Sequence, residues 1–97
     1  MRAIGIVFVE GRAELEELEL GGPGPGELLV ENTVTHVSAG SEVNGLKRSA
    51  LTKGDPPSGL SARPGYAGVG AVLEVGAGVQ AFRPGDRVLT MTRHVSH

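Results

Sequence analysis

The chain has 97 residues, 39% of them apolar and 21% charged, with a formal charge of −2, no cysteine and three aromatic side chains, Phe8, Tyr66 and Phe82. A chain of this length supports one domain with one core and buries roughly 60–65% of its unfolded surface. The composition excludes disulfides and thiolate metal sites. It also lacks the basic run that marks a nucleic-acid binder and any apolar run of membrane-spanning length, so neither nucleic acid nor membrane is an expected partner. With no cysteine and no charged-then-apolar leader at its start, the sequence reads as that of a cytoplasmic protein.

Sixteen glycines, six prolines and many valines point to short strands joined by tight turns. Arg2 to Val9 (RAIGIVFV) is β-branched and apolar, a strand by composition, and Glu10-Gly11-Arg12 reads as a hairpin turn. Ala13 to Leu20 (AELEELEL) has helix-forming residues, yet Leu18 and Leu20 alternate and glycines follow at once. We read it as a strand with a slip near Glu16-Glu17. GGPGPG at 21–26 is a loop, because its prolines can neither continue a ladder nor sit inside a helix. Leu28 to Val37 (LLVENTVTHV) is a long strand. Gly40-Ser41-Glu42 then opens one short helix ending near Arg48, with Ser41 as N-cap and Glu42 in the first turn. Ser49 to Arg63 is polar and rich in Pro, Gly and Ser, a long surface loop. Strand character returns from Tyr66 to Val75 and again from Arg87 to Met91, giving an all-β reading with one short helix.

Within VLEVGAGVQAF (72–82), Gly76-x-Gly78-x-x-Ala81 fits the relaxed spelling of a dinucleotide-binding loop. Such a loop needs a helix after its glycines, whose amides and dipole hold the pyrophosphate. Here Pro84-Gly85-Asp86 is itself a turn signal and follows too soon for a helix of useful length. The glycines are therefore assigned to a hairpin turn in which positive φ is wanted. In FRPGDRV (82–88), Phe82 is expected to plug the core, Pro84-Gly85 to turn the chain, and Asp86 to accept hydrogen bonds within the turn.

Taken longer, PGYAGVGAVLEVGAGVQAFRPGDRV (64–88) resembles the "G-H-E-x-x-G-x-V-x-x-V-G-x-G-V-x-x-F-x-x-G-D-R-V" signature of the medium-chain dehydrogenase/reductase superfamily. PGPGELLVE (23–31) is similar to that superfamily's "P-x-P-G-E-V-L-V-K", and VSAGSE (37–42) to its "I-C-G-S-D" turn. The resemblance spans essentially the whole chain. It implies the N-terminal, GroES-like catalytic domain: mainly β, a partly open barrel with one short helix, truncated at the C-terminus. Residues 1–97 would be an incomplete copy of that domain, with the Rossmann NAD(P)-binding domain absent.

The departures are as informative. Zinc-using members of the superfamily take a Cys from the "C-G-S-D" turn and a His and often a Glu from "G-H-E". The aligned positions here are Ala39, Tyr66 and Ala67. The alanines offer no lone pair and a tyrosine is a poor zinc ligand at neutral pH, so no catalytic zinc is expected. The pattern is more similar to the zinc-free branch, whose members reduce carbonyls, quinones or enoyl groups with NAD or NADP.

Without a Lewis acid, carbonyl polarisation falls to hydroxyls or ordered water. Ser41 aligns with the family's proton-relaying hydroxyl and Tyr66 with the vacated metal position. Each is a candidate donor to a substrate oxygen; alternatively Ser41 only caps the helix and Tyr66 only fills volume. His94 is a candidate contact in the substrate cleft. His94, His97 and His36 could together clip a metal, but exposed terminal histidines are the reading taken.

The parent implied by the resemblance acts on a small alcohol, carbonyl or enone. The isolated chain binds no cofactor and is expected to be inactive, because hydride chemistry belongs to the cofactor and the second domain. The alternatives are a non-catalytic β-barrel assembly or binding module, or one subunit of a split oxidoreductase whose partner chain brings the nucleotide domain. Open sheet edges predict a homodimer or aggregation.

Overall fold

The computed structural model describes residues 1–51 and 63–97. Five strands and one helix follow in chain order: β1 (Arg2–Val9), β2 (Arg12–Glu19), β3 (Leu28–Thr35), α1 (Ala39–Ser49), β4 (Gly68–Val75) and β5 (Arg87–Thr90). The fold is mainly β, as the composition predicts. It forms no closed barrel: β1 and β2 make one antiparallel sheet, and β3, β4 and β5 make a second in that order. The polar loop expected over Ser49 to Arg63 falls largely on 52–62, outside the described residues. No helix among the described residues is long and apolar enough to cross a membrane.

β1 and β2 pair without interruption from Arg2↔Glu19 to Val9↔Arg12. Glu10 (φ 49°) and Gly11 (φ 81°) close the hairpin, two consecutive left-handed residues whose twist suits paired strands. The slip expected near Glu16-Glu17 is absent. All eight residues of β2 meet their β1 partners in register, so an extra residue has nothing to relieve. The irregularities lie instead between β3 and β4, at Leu29/Val30 and Asn32/Val34.

Alternation on β1 turns Ala3, Gly5 and Val7 inward, and with Phe8 and Val72 of β4 they make up the buried apolar centre among the described residues. Phe82 does not join it. Its ring is 41% exposed, because the segment between β4 and β5 is held by its own turns rather than by side-chain burial. Asp86 does what the sequence suggests: its carboxylate accepts the Arg83 N–H at 2.9 Å, and Gly85 takes φ 95°.

The two glycines of the loop-like motif serve different ends. Gly78 has φ 80°, the left-handed conformation expected of a turn glycine. Gly76 does not need positive φ; a Cβ there would stand 1.8 Å from the Gly24 carbonyl oxygen. It lets the 21–26 loop lie against the end of β4, where the Gly76 N–H reaches the Glu27 carbonyl at 2.8 Å. No helix follows, so no pyrophosphate cradle is built.

What joins the two sheets is the last segment of the chain. The Ile6 N–H donates to the His94 carbonyl at 3.0 Å, the Ser96 N–H to the Ile4 carbonyl at 2.7 Å, and the Asn32 N–H to the Ser96 carbonyl at 2.7 Å. Residues 94–96 thus lie between β1 and β3 as a short strand-like stitch, with Gly5 bridging to Val95. On the other flank, the Arg63 guanidinium grips Glu16 of β2 through Nε (2.7 Å) and Nη2 (3.1 Å). The hydrogen bond to Glu16 raises the Arg63 pKa above its ordinary value, so that cation persists throughout the physiological range.

Gly65 sits where this stitch passes. It has φ 107°, and a Cβ on it would be 2.3 Å from the His94 amide nitrogen and 2.6 Å from the Arg93 carbonyl carbon. Gly65→Ala therefore meets both a strained conformation and fixed backbone, and should cost more than about 2 kcal/mol in urea unfolding. Gly21→Ala, with nothing within 4 Å, is the control and should fall within about 0.5 kcal/mol of the parent.

Candidate functional site

The end of β3, the start of α1 and the segment 64–66 converge on His94. Far from being an exposed terminal histidine, it is 7% exposed. Its backbone N–H donates to the Pro64 carbonyl at 2.8 Å and its own carbonyl accepts from Ile6. Its ring Nδ1 meets the Thr35 hydroxyl at 2.5 Å, and its Nε2 is hydrogen-bonded to Oε1 of Glu42. One residue thereby ties β1, β3, α1 and the 64–66 segment together.

Hydrogen-bond chemistry fixes the direction of the array. An ionised carboxylate only accepts, so Nε2 carries a proton and donates to Glu42. The other oxygen of Glu42 accepts the Ser38 backbone N–H at 2.5 Å. This second contact explains why α1 begins earlier than expected. Ser38, not Ser41, is the N-cap residue, and its side chain makes no capping bond. The carboxylate of Glu42 reaches back to satisfy the free amide at the helix entrance, which is a capping role played from inside the helix. Ser41 is left inside the first turn, its hydroxyl free of a capping bond.

Beside this array lies a cavity of about 330 Å³ lined by Phe8, Ser41, Glu42, Pro64, Gly65 and Tyr66, among others. Two of the three sequence candidates, Ser41 and Tyr66, thus share one cavity. Tyr66 is half exposed, and its ring meets that of His36 edge-on with centroids 5.5 Å apart. His94, the third candidate, does not line this cavity; it stands behind Glu42 and faces a second hollow between β1 and β3.

Glu42 and Thr35 are the residues that sequence reasoning missed as parts of the site. Glu42 carried a signal, since it occupies the acidic position of the "G-S-D" turn, but its pairing with a residue 52 positions later leaves no local trace. Ala39 and Ala67 supply no donor atom, so the residues at the family's zinc positions do not fit a Cys, His and carboxylate site. The three histidines do not gather either: His97 lies 3.5 Å from Glu31, and His36 packs edge-on against Tyr66. Among the described residues no group of three or more metal-binding side chains comes together.

Removing the imidazole strands a largely buried carboxylate and the Thr35 hydroxyl. His94→Ala should therefore lower unfolding free energy by about 3 kcal/mol, a large share of what a domain of this size has. His94→Gln, which can still present an N–H to Glu42, should recover part of it; equal losses for the two variants would contradict the array.

Residues 24–96 match the alcohol dehydrogenase GroES-like domain family. The chain is 42% identical over 87 residues to a Mycobacterium tuberculosis protein provisionally named alcohol dehydrogenase D, covering 87% of this chain and 21% of that protein. It is 37% identical over 93 residues to the class-3 alcohol dehydrogenase of Cereibacter sphaeroides, covering 94% and 23%. Against the S-(hydroxymethyl)glutathione dehydrogenase of Paracoccus denitrificans the identity is 33% over 93 residues, with the same coverage of 94% and 23%. The chain thus spans about a fifth of the length of these curated relatives. The match over most of its residues, on a mainly β frame with one short helix, places it plainly: the chain belongs to the alcohol dehydrogenase GroES-like domain family.

Proposed function

We propose that this chain is the substrate-side domain of an NAD- or NADP-dependent dehydrogenase or reductase that works without catalytic zinc on a small alcohol, carbonyl or enone. The observation that carries this reading is the cavity that Ser41 and Tyr66 both line, together with Ala39 and Ala67 standing in the sequence where zinc-using members place ligands. Two hydroxyl-bearing residues lining one small cavity can donate to a substrate oxygen and disperse charge that develops on it, work a Lewis acid would otherwise do.

Nothing among the described residues forms a phosphate cradle, so the nucleotide is held elsewhere, by a Rossmann domain in the same polypeptide or on a partner chain. When bound, the nicotinamide supplies hydride exchange. This chain's residues orient the substrate, hold its oxygen and wall one side of the cleft. On this reading the isolated chain is inactive, and it resides in the cytoplasm.

The test assembles the chain with its nucleotide-binding domain and follows nicotinamide absorbance with small alcohols, ketones and enones. Turnover insensitive to a strong zinc chelator is expected. Ser41→Ala and Tyr66→Phe should each lower kcat/KM on the order of 10²-fold, in line with the loss of one positioned donor. Activity that a chelator abolishes and zinc restores would overturn the zinc-free reading.

A further inference from the structure

The cavity wall contributed by Glu42 has a property that the hydroxyls do not share. Its side chain is 15% exposed and both oxygens are held, one by the Ser38 amide and one by His94. A carboxylate offers about four acceptor positions and no donor. Two are occupied, and Glu42 lines the cavity with acceptor capacity to spare. Among the described residues no lysine or arginine lines the same cavity to neutralise it. One oxygen is held by His94, itself held by Thr35, so the carboxylate cannot swing away without breaking its two hydrogen bonds, to Ser38 and His94.

We propose that Glu42 is the specificity-determining acceptor of this cavity: it selects small molecules that donate a hydrogen bond, bearing a hydroxyl or ammonium group, over carbonyl compounds of the same shape. The inference rests on reading the cavity as the substrate side of a dehydrogenase. A ketone can accept from Ser41 or Tyr66, but it sets a lone pair against the carboxylate and offers Glu42 no further hydrogen bond. An alcohol of the same outline accepts from the hydroxyls and donates to Glu42. A site built around an obligate acceptor discriminates against ligands that cannot donate. The volume, about 330 Å³, lies at the small end for ligand pockets and suits a compact molecule. His94 and Thr35 are positioning residues: they hold the acceptor in place and touch no ligand.

The test uses the 97-residue chain and nuclear magnetic resonance titrations with 2-propanol, isopropylamine and acetone, three molecules of nearly one shape. The alcohol and the amine should shift the Ser38 amide and the His94 Nε2 proton saturably. Acetone should bind about tenfold more weakly or less, the scale of one hydrogen bond to a charged group. Glu42→Gln, which can both donate and accept, should erase the preference, and His94→Gln should blunt it while keeping binding. Equal affinity for the three probes, no binding of any, or a preference that survives Glu42→Gln would each overturn the proposal. Should Glu42→Gln not fold, the three-probe comparison on the unaltered chain decides it alone. A chain that shows the preference but whose assembled form turns over no nicotinamide removes the dehydrogenase reading and keeps this one. An active dehydrogenase without the preference does the reverse.

Discussion

Everything about this domain's candidate site depends on one imidazole. His94 is the point where both sheets, the helix and the 64–66 segment are fastened, through two backbone and two side-chain hydrogen bonds. The apolar centre is thin, with Ala3, Val7, Phe8 and Val72 as its buried side chains among the described residues. A small core leaves little hydrophobic surplus over chain entropy, so polar contacts of high sequence separation gain relative weight. A buried imidazole between a carboxylate and a hydroxyl is tolerable because each of its polar atoms is partnered; no buried polar side-chain atom is left unsatisfied among the described residues.

That arrangement sits where zinc-using relatives of this fold, by the resemblance in the sequence, bring a "C-G-S-D" turn and a "G-H-E" segment together on a metal. Here the turn provides Glu42 and the segment provides the Pro64 carbonyl, and His94 joins them. A metal ties segments by coordination and supplies Lewis acidity in the same act. A hydrogen-bonded histidine ties them without that acidity, so substrate polarisation would pass to Ser41 and Tyr66. On the zinc-free reading proposed above, structure and chemistry are separated in this chain in a way they need not be around a metal.

Much of the fold was legible because it is local. The alternation of β1, the Glu10-Gly11 turn and the short Pro84-Gly85-Asp86 reversal are decided by neighbours within a few residues, and each lies where the pattern predicts. The dinucleotide-loop spelling was dismissed on equally local grounds, the lack of room for a helix. Most of the readings that needed correction turned on partners that the local pattern does not show. The Glu-rich β2 keeps register because β1 faces it throughout. Gly76 answers to Gly24 rather than to its own turn. The helix starts at Ala39 because Glu42 reaches back to Ser38. His94, next to the end of the chain, is buried because Thr35 and Glu42 wait for it 59 and 52 positions earlier. Ser41 and Tyr66 stand out through resemblance, and the structure adds that they line one cavity.

The central claim is that the 94–96 segment is an integral stitch and not a fraying tail. Native-state amide hydrogen exchange on the 97-residue chain measures this directly, since cooperative units open together with a shared free energy. The account predicts that the amides of Ile6, Asn32, His94 and Ser96 exchange slowly and with one common opening free energy, close to that of global unfolding. Rapid exchange at His94 and Ser96 while β1 and β4 stay protected would contradict it, and the site built on His94 would lose its foundation.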